Sequence, residues 1–354
     1  MTRRAIEAST PTRIDLAGGT LDIWPLSLLV PGAITVNVAV ELRARVRVAP
    51  RKDRRVVIDS RDRGLRIERA LPLDPRDAGG RLSFLLRLAA SFQPDEGLTL
   101  VTEAEAPAGA GLGGSSALGI AVGAALNRFT GSGLGREALL RRVTGVEAAE
   151  IATPTGNQDY LAALHGGLAA YHHGFDGTVR EAIPVPPGLE ERLVLAYTGE
   201  PRGSGASNWD MFRRAIEGER RTVAGLRAIA AVARDLRAAL RDGDLDAAGA
   251  ILGEEGRLRY RLAPSVATPS LLRAGEAARR AGAAGVKVCG AGGGGCLVAF
   301  AREGRAEAVA RALKAAGASV LAVRIAGRGL ALLGPPVAQP RARARGSGAT
   351  LSGR

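Results

Sequence analysis

The sequence predicts an α+β protein built as two domains. Three observations carry that reading. The chain has 354 residues, which at about 150 per domain suggests two. Strand-like segments follow one another through the first hundred residues without intervening helices, which points to an antiparallel or mixed sheet. After Pro184–Gly188 the composition shifts to a long Arg-rich amphipathic stretch, followed by shorter helix-like and strand-like segments.

In chain order, the segment from Ile34 to Val48 alternates. Val36, Val38, Val40, Leu42, Val46 and Val48 share one parity, and Glu41, Arg43, Arg45 and Arg47 take the other. Period two over this length predicts a half-buried strand, long or bent. Arg55–Asp59, Leu65–Glu68 and Leu98–Glu103 read as further strands. Ser115–Phe129 is apolar nearly all round and predicts a buried helix. Arg136–Ala152 is amphipathic, with Leu139, Leu140, Val143 and Val146 on one side. Met211–Leu240 reads as one long amphipathic stretch, and Ser270–Ala281 and Arg305–Ala316 as shorter helices. Val286–Cys289, Cys296–Ala301, Ser319–Ile325 and Gly329–Leu333 read as strands. The expected domains are residues 1–188 and 189–334. Residues 335–354, mostly Pro, Gly, Ala, Ser and Arg, are expected to form a disordered basic tail.

Composition removes several classes. Hydrophobic residues make up 46 % of the chain, enough for a large core. The polar start, Met1 to Thr10, predicts no secretion signal. Apolar runs such as Ala117–Leu126 are broken by Gly and fall short of the roughly 18 residues of a spanning helix. Two cysteines, Cys289 and Cys296, cannot build a disulfide framework or a four-ligand zinc site. They read instead as small buried residues. A cytoplasmic location without a membrane partner is expected. The net charge is +14, yet only three of the 49 basic residues are Lys, the arginines are scattered and aromatics are 3 %. A nucleic-acid partner would call for clustered charge with interleaved aromatics, so none is expected. An anionic small molecule suits the charge equally well.

Three glycine-rich segments stand out. The central one runs Pro107-Ala-Gly109-Ala-Gly111-Leu112-Gly113-Gly114-Ser115-Ser116-Ala117 between a strand and the buried helix. Its glycines let backbone N–H groups approach an anion, and the helix start offers free N–H groups and a positive dipole end. Ser115 or Ser116 is expected to cap the helix. The segment contains the spacing of a dinucleotide fingerprint, Gly109-x-Gly111-x-x-Gly114, and so does Gly290-x-Gly292-x-x-Gly295. Neither sits in a strand–helix–strand unit with the required acidic residue, and no Gly-Lys-Ser/Thr follows either loop. The first segment, Pro11-Thr-Arg13-Ile-Asp15-Leu-Ala-Gly18-Gly19-Thr20-Leu-Asp22, places polar side chains around a tight turn. Such a cluster suits a polyol, and a strand ending in a Gly-Gly turn explains it equally well. The third, Lys287-Val-Cys289-Gly290-Ala-Gly292-Gly293-Gly294-Gly295-Cys296, holds more glycine than a hairpin turn needs.

In this order and spacing the three segments resemble the GHMP small-molecule kinase superfamily, over about residues 5–333. The Pro-x-x-x-Gly-Leu-Gly-x-Ser-Ser-Ala pattern of the central loop is specific to that family. The Arg13-Ile-Asp-Leu-Ala-Gly-Gly segment and the late glycine run look most like the sugar-kinase branch, which includes heptose 7-phosphate kinases and fucokinase-like proteins. The resemblance implies a ribosomal-protein-S5-like N-terminal domain and a ferredoxin-like C-terminal one. It implies ATP and Mg²⁺ as cofactors and a small-molecule sugar as acceptor. It places ATP on Pro107, Gly109, Gly111, Leu112, Gly113, Gly114, Ser115 and Ser116. Ser116 and Glu147 would hold the metal, with Glu150 as the fallback. Asp159 would act as catalytic base or hydroxyl orienter, and Arg13 would lie near the transferred phosphate. Asp22, Thr20, Gly19 and Asp15, with Gly292 and Gly293, would surround the substrate. Gly19-Thr20 stands where galactokinases carry Glu-His. Gly18-Gly19-Thr20-Leu21-Asp22 also departs from the heptose kinases' usual Gly-Gly-Gly-Thr-Asp. A non-sugar alcohol such as mevalonate or homoserine, or a sensor of the same fold without catalysis, remains the alternative.

Overall fold

A computed structural model describes residues 5–200, 206–290 and 292–334. The first part of the chain forms β1 (Ile6–Ala17), α1 (Leu26–Leu29), β2 (Ile34–Pro50), β3 (Arg55–Ser60), β4 (Leu65–Ala70), α2 (Ser83–Ser91) and β5 (Leu98–Ala104). It continues with α3 (Gly114–Thr130), α4 (Arg136–Ile151), α5 (Gln158–His165), β6 (Leu168–Gly174) and β7 (Gly177–Ile183). The second part forms α6 (Leu189–Arg192), β8 (Leu193–Tyr197), α7 (Ala206–Ile216), α8 (Arg220–Asp242), α9 (Leu245–Leu262) and α10 (Pro269–Arg280). It ends with β9 (Ala283–Val288), β10 (Cys296–Ala301), α11 (Ala306–Ala315), β11 (Ser319–Leu321) and β12 (Ala331–Leu333).

The period-two segment becomes the organising strand. β2 pairs with β1 along its length, with β6 through Ile34–Val38 and with β5 through Ala44–Pro50. Its later half keeps Val46 and Val48 inside and Arg45 and Arg47 outward, while Ile34–Val40 is covered on both faces. The larger sheet runs β12-β1-β2-β5-β3-β4, with β6 beside β2 and β7 beside β6. It is mixed, because β3 and β5 pair in parallel. Helices α2, α3 and α4 bury its first core through residues such as Leu86, Leu126 and Val143. A four-stranded antiparallel sheet, β11-β8-β10-β9, forms the second layer system. Between the sheets, Val36 and Val38 of β2 meet Leu236 of α8, Leu252 of α9 and Phe300 of β10 in one apolar cluster. Apolar contact of this kind is what holds two sheet systems at a fixed separation.

Four expectations change. The stretch Met211–Leu240 is two helices, α7 and α8, separated at Glu217-Gly218-Glu219, where Gly218 has a φ of +79°. Neither serine caps α3, because Gly113 takes the cap position in the left-handed region. Helix α9 was not expected, since Gly249, Gly253 and Gly256 lower its intrinsic propensity. Those glycines let α9 lie directly on β9: a Cβ on Gly253 would fall 2.9 Å from the Gly285 Cα. The Gly329–Leu333 strand, expected in the second domain, pairs instead with β1 (Ser9 opposite Ala331, Glu7 opposite Leu333). The tail expected over 335–354 lies outside the described residues. Among the described residues, no helix is long and apolar enough to cross a membrane.

Candidate active site

The central loop, the end of β1 and the start of α5 close around a cavity of about 450 Å³. The loop leaves β5 and enters α3 through three left-handed glycines, Gly109, Gly111 and Gly113. Gly113 is required where it stands, since a Cβ there would lie 3.0 Å from the Asp159 side chain. No side chain caps α3. Its first N–H groups and positive dipole end therefore face the cavity, where they suit an anion. Backbone bonding sets the loop's position. The Arg13 N–H donates to the Leu112 carbonyl (3.0 Å) and Arg13 Nη1 donates to the Gly111 carbonyl (2.7 Å). Pro107 accepts from the Ala110 N–H at 3.1 Å. Leu112 is a departure from expectation at the side-chain level: it lies in the apolar cluster between the sheets, so the loop's polar work falls to its neighbours.

The late glycine run backs this loop. The Cys296 N–H donates to the Ala110 carbonyl at 2.8 Å. Gly295 (φ +85°) admits the contact, since a Cβ would sit 2.7 Å from the Gly109 and Ala110 oxygens. Gly292 and Gly293, expected at the substrate, pack on Val266 instead, and Gly293 N–H donates to the Val266 carbonyl (2.8 Å). Gly290 lines the cavity in their place. Cys289 and Cys296 are buried and not joined in a disulfide, and burial pushes the Cys296 thiol well up.

Two carboxylates face the cavity near the loop. The Arg13 guanidinium holds Asp159 through Nε (2.7 Å) and Nη2 (2.5 Å), both on Oδ1. Ser116 Oγ donates to Glu147 Oε2 (3.2 Å), and the buried Tyr160 hydroxyl donates to the same oxygen (2.7 Å). Burial pushes the Glu147 carboxyl up, against the pull of the Tyr160 and serine hydroxyls. Glu150 is engaged elsewhere, accepting from Ser83 Oγ and pairing with Arg87, each at 2.8 Å. The geometry therefore favours Glu147 over Glu150 as partner of Ser116.

The first glycine turn supplies the polar end. Asp22 Oδ2 accepts from the Gln158 N–H at 3.0 Å. Burial raises the Asp22 carboxyl to about 6, and the Gln158 N–H opposes it. Between about pH 4 and pH 6 the folded protein then holds a proton that the unfolded chain has released, so stability falls as pH rises through that window. The contribution is of order 3 kcal/mol for a displacement of about two pH units. Urea unfolding from about pH 4 to pH 7 is expected to show Asp22→Asn gaining on the parent as pH rises; parallel curves would refute the assignment.

Asp15 also borders the cavity, but its carboxylate is taken up by a protein partner. It is buried beneath the turn, with its Oδ2 2.6 Å from Lys287 Nζ. Burial would raise it, but Lys287, Arg259 and Arg13 together hold it below the usual carboxylate range. Arg259 of α9, itself paired with Glu255 at 2.7 Å, donates to the Gly19 carbonyl (2.7 Å) and to Thr20 Oγ1 (3.2 Å). Thr20 is held in the left-handed region, φ +82°.

Sequence reasoning missed Gln158, Tyr160, Glu255 and Arg259, and the aromatic pair Trp209 and Phe212 on the cavity wall. It quoted Lys287 without a role. A signal existed there, since a lysine is conspicuous among 49 basic residues of which 46 are arginine.

Comparison with known proteins shows the family. Residues 82–167 match the GHMP kinases N terminal domain and residues 236–319 match the GHMP kinases C terminal domain. A mevalonate kinase from Thermococcus onnurineus is 32 % identical over 240 residues, covering 66 % of this chain and 68 % of that protein. The chain belongs to the GHMP kinase family. A D-glycero-alpha-D-manno-heptose 7-phosphate kinase from Campylobacter jejuni is 26 % identical to this GHMP kinase, covering 84 % of the chain and 89 % of that protein. The structure of Lactococcus lactis galactokinase complexed with galactose superposes with a TM-score of 0.79 at 20 % identity, covering 93 % and 95 %. The matched N-terminal region of this GHMP kinase contains the central loop, Ser116, Glu147 and Asp159. The two matched regions fall in the two parts of the α+β fold.

Proposed function

We propose that this GHMP kinase transfers the terminal phosphoryl group of ATP to a hydroxyl of a sugar or sugar phosphate. The observation that carries the reading is the Arg13–Asp159 pair. It stands between a glycine loop suited to phosphates and a polar turn suited to hydroxyls. Loop N–H groups and the α3 amino end bind the phosphates. Asp159 orients the acceptor hydroxyl and takes its proton. Arg13 locks Asp159 and the loop in one geometry and contributes positive charge where the transferred group carries negative charge. Asp22, Thr20 and the Gly19 turn hold the acceptor in line, which is where much of the barrier reduction arises.

The residues present fit Mg²⁺. That ion takes oxygen ligands and usually needs only one or two from protein when phosphates are bound. Ser116 Oγ and Glu147 Oε2 are such a pair, buried together in the cavity wall. Bound there, the ion would neutralise phosphate charge. Glu147→Gln is expected to raise the Mg²⁺ concentration for half-maximal rate by about tenfold or more, one ligand charge being lost. If Glu150→Gln does so instead, the ligand lies one helical turn away.

A second reading is favoured by the 32 % identity to a mevalonate kinase, namely an acyclic alcohol as acceptor. ADP release from Mg-ATP separates the two. The panel is heptose 7-phosphate, fucose, galactose and mannose against mevalonate and homoserine, with Asp159→Asn as control. Turnover of a sugar, lost in the variant, supports the proposal; turnover of mevalonate alone replaces it.

A further inference from the structure

We infer that Trp209 and Phe212 form an aromatic platform for the ring face of a pyranose acceptor. The inference deepens the acceptor reading above and rests on it. Both side chains line the same cavity as Asp22, Gln158 and Asp159. Their rings stack, with centroids 5.4 Å apart and planes within 15°. Trp209 keeps 40 % of its surface exposed, in a chain with only two tryptophans. An indole left half open beside a polar pocket is a surface waiting for an apolar face.

The platform is fixed at the acceptor end. Met211 and Ala215, four residues apart on α7, sink into a core with Leu21, Ile23 and Leu26. Leu21 and Ile23 flank Asp22. Residues three apart share a helix face, so Trp209 and Phe212 stand together on α7, which the same core ties to the polar turn. One boundary of the pocket is thus flat and apolar, and another offers a carboxyl, an amide and a hydroxyl. A pyranose has that division: its ring C–H groups form an apolar face and its rim carries hydroxyls. An acyclic hydroxy acid has no ring face to lay on the platform. The cations lining this end are engaged, Arg13 with Asp159 and Arg259 with Glu255. The polar groups left to recognise an acceptor at this end are then neutral or acidic, which suits hydroxyls rather than a carboxylate.

The test uses the full chain. In a Trp24→Phe background Trp209 is the sole tryptophan, and its emission reports on the platform directly. Fucose, galactose, mannose and heptose 7-phosphate are titrated without nucleotide, then ATP alone, then mevalonate. Kinetics follow for Trp209→Leu and Trp209→Phe. At least one pyranose is expected to shift the emission and to be turned over. Trp209→Leu is expected to raise KM for that sugar about tenfold, with kcat and KM for ATP unchanged. Trp209→Phe, which keeps a ring face, is expected to recover most of the loss. A sugar turned over with the same KM by Trp209→Leu overturns the platform and leaves the sugar kinase standing. An emission shift from ATP alone overturns it by assigning the rings to the nucleotide. Turnover of mevalonate with no response to any pyranose overturns both the platform and the sugar acceptor.

Discussion

Replacing Asp159 with Asn is expected to lower kcat by roughly 10²–10⁴, the range for losing a positioned general base. The geometry makes the comparison clean. Arg13 contacts Oδ1 through two nitrogens, and the Asn oxygen can still accept there, so the side chain keeps its place while losing its capacity to take a proton. Gly113 packs against the same side chain, which limits where an isostere can go. Binding of ATP, followed by titration calorimetry, should persist because the loop N–H groups are untouched. A circular dichroism melt checks that the fold survives the loss of one ion pair. Unchanged turnover would remove Asp159 from the proton-transfer role altogether. A change confined to KM would make it a binding residue.

Lys287→Met should unfold the protein much more easily, by about 3–5 kcal/mol, the usual cost of removing one member of a buried charge cluster. Lys287 Nζ donates to the Asp15 backbone oxygen (2.9 Å), lies 2.6 Å from Asp15 Oδ2 and 3.7 Å from Glu255 Oε2. All three side chains are buried. Methionine fills the volume but leaves two carboxylates sharing Arg259. Because Asp15 is held low in the parent, its ionised form stabilises the fold above the unfolded carboxylate range, and the variant loses that term. The deficit should therefore be larger at neutral pH than near pH 4. Adding Asp15→Asn should recover part of it. Urea midpoints for the single and double variants decide the matter. A single-variant loss below about 1 kcal/mol would mean that the cluster carries no structural weight. A surviving variant should also bind acceptor more weakly, since the same cluster anchors the Gly19–Thr20 turn.

What could be read in advance divides along a physical line. The shape of the loop from Pro107 to Ser116 was legible because it needs backbone freedom, and glycines announce that in any sequence. Asp159 and Glu147 were singled out through resemblance alone, and the structure places both on the cavity wall, Glu147 in contact with Ser116. The strand Ile34–Val48 was legible from its alternation. Helix α9 was not, because its glycines serve contact with β9 while weakening every local helix signal. Arg259 and Glu255 were lost with it, two charges among many in an Arg-rich chain, distinguished only by burial. The end of Met211–Leu240 as one helix was hidden for the opposite reason: Ala and Arg favour helix on both sides of Gly218. Asp15 was legible as a residue of the cavity, but its pairing with Lys287 was not, because nothing local joins positions so far apart in sequence. Strand β12 was misplaced because strand order in a sheet depends on partners far away in sequence.

That last strand has a mechanical consequence. With β12 on the edge of β1, the polypeptide crosses between the two halves twice, near residue 188 and again after β11. The halves are buttoned together rather than strung in series. Any widening or narrowing of the cavity between them must bend both crossings together. Residues 1–188 expressed alone would bare the outer edge of β1, a template for unwanted pairing. A nick at residue 188, by contrast, would leave two fragments still clasped by a strand.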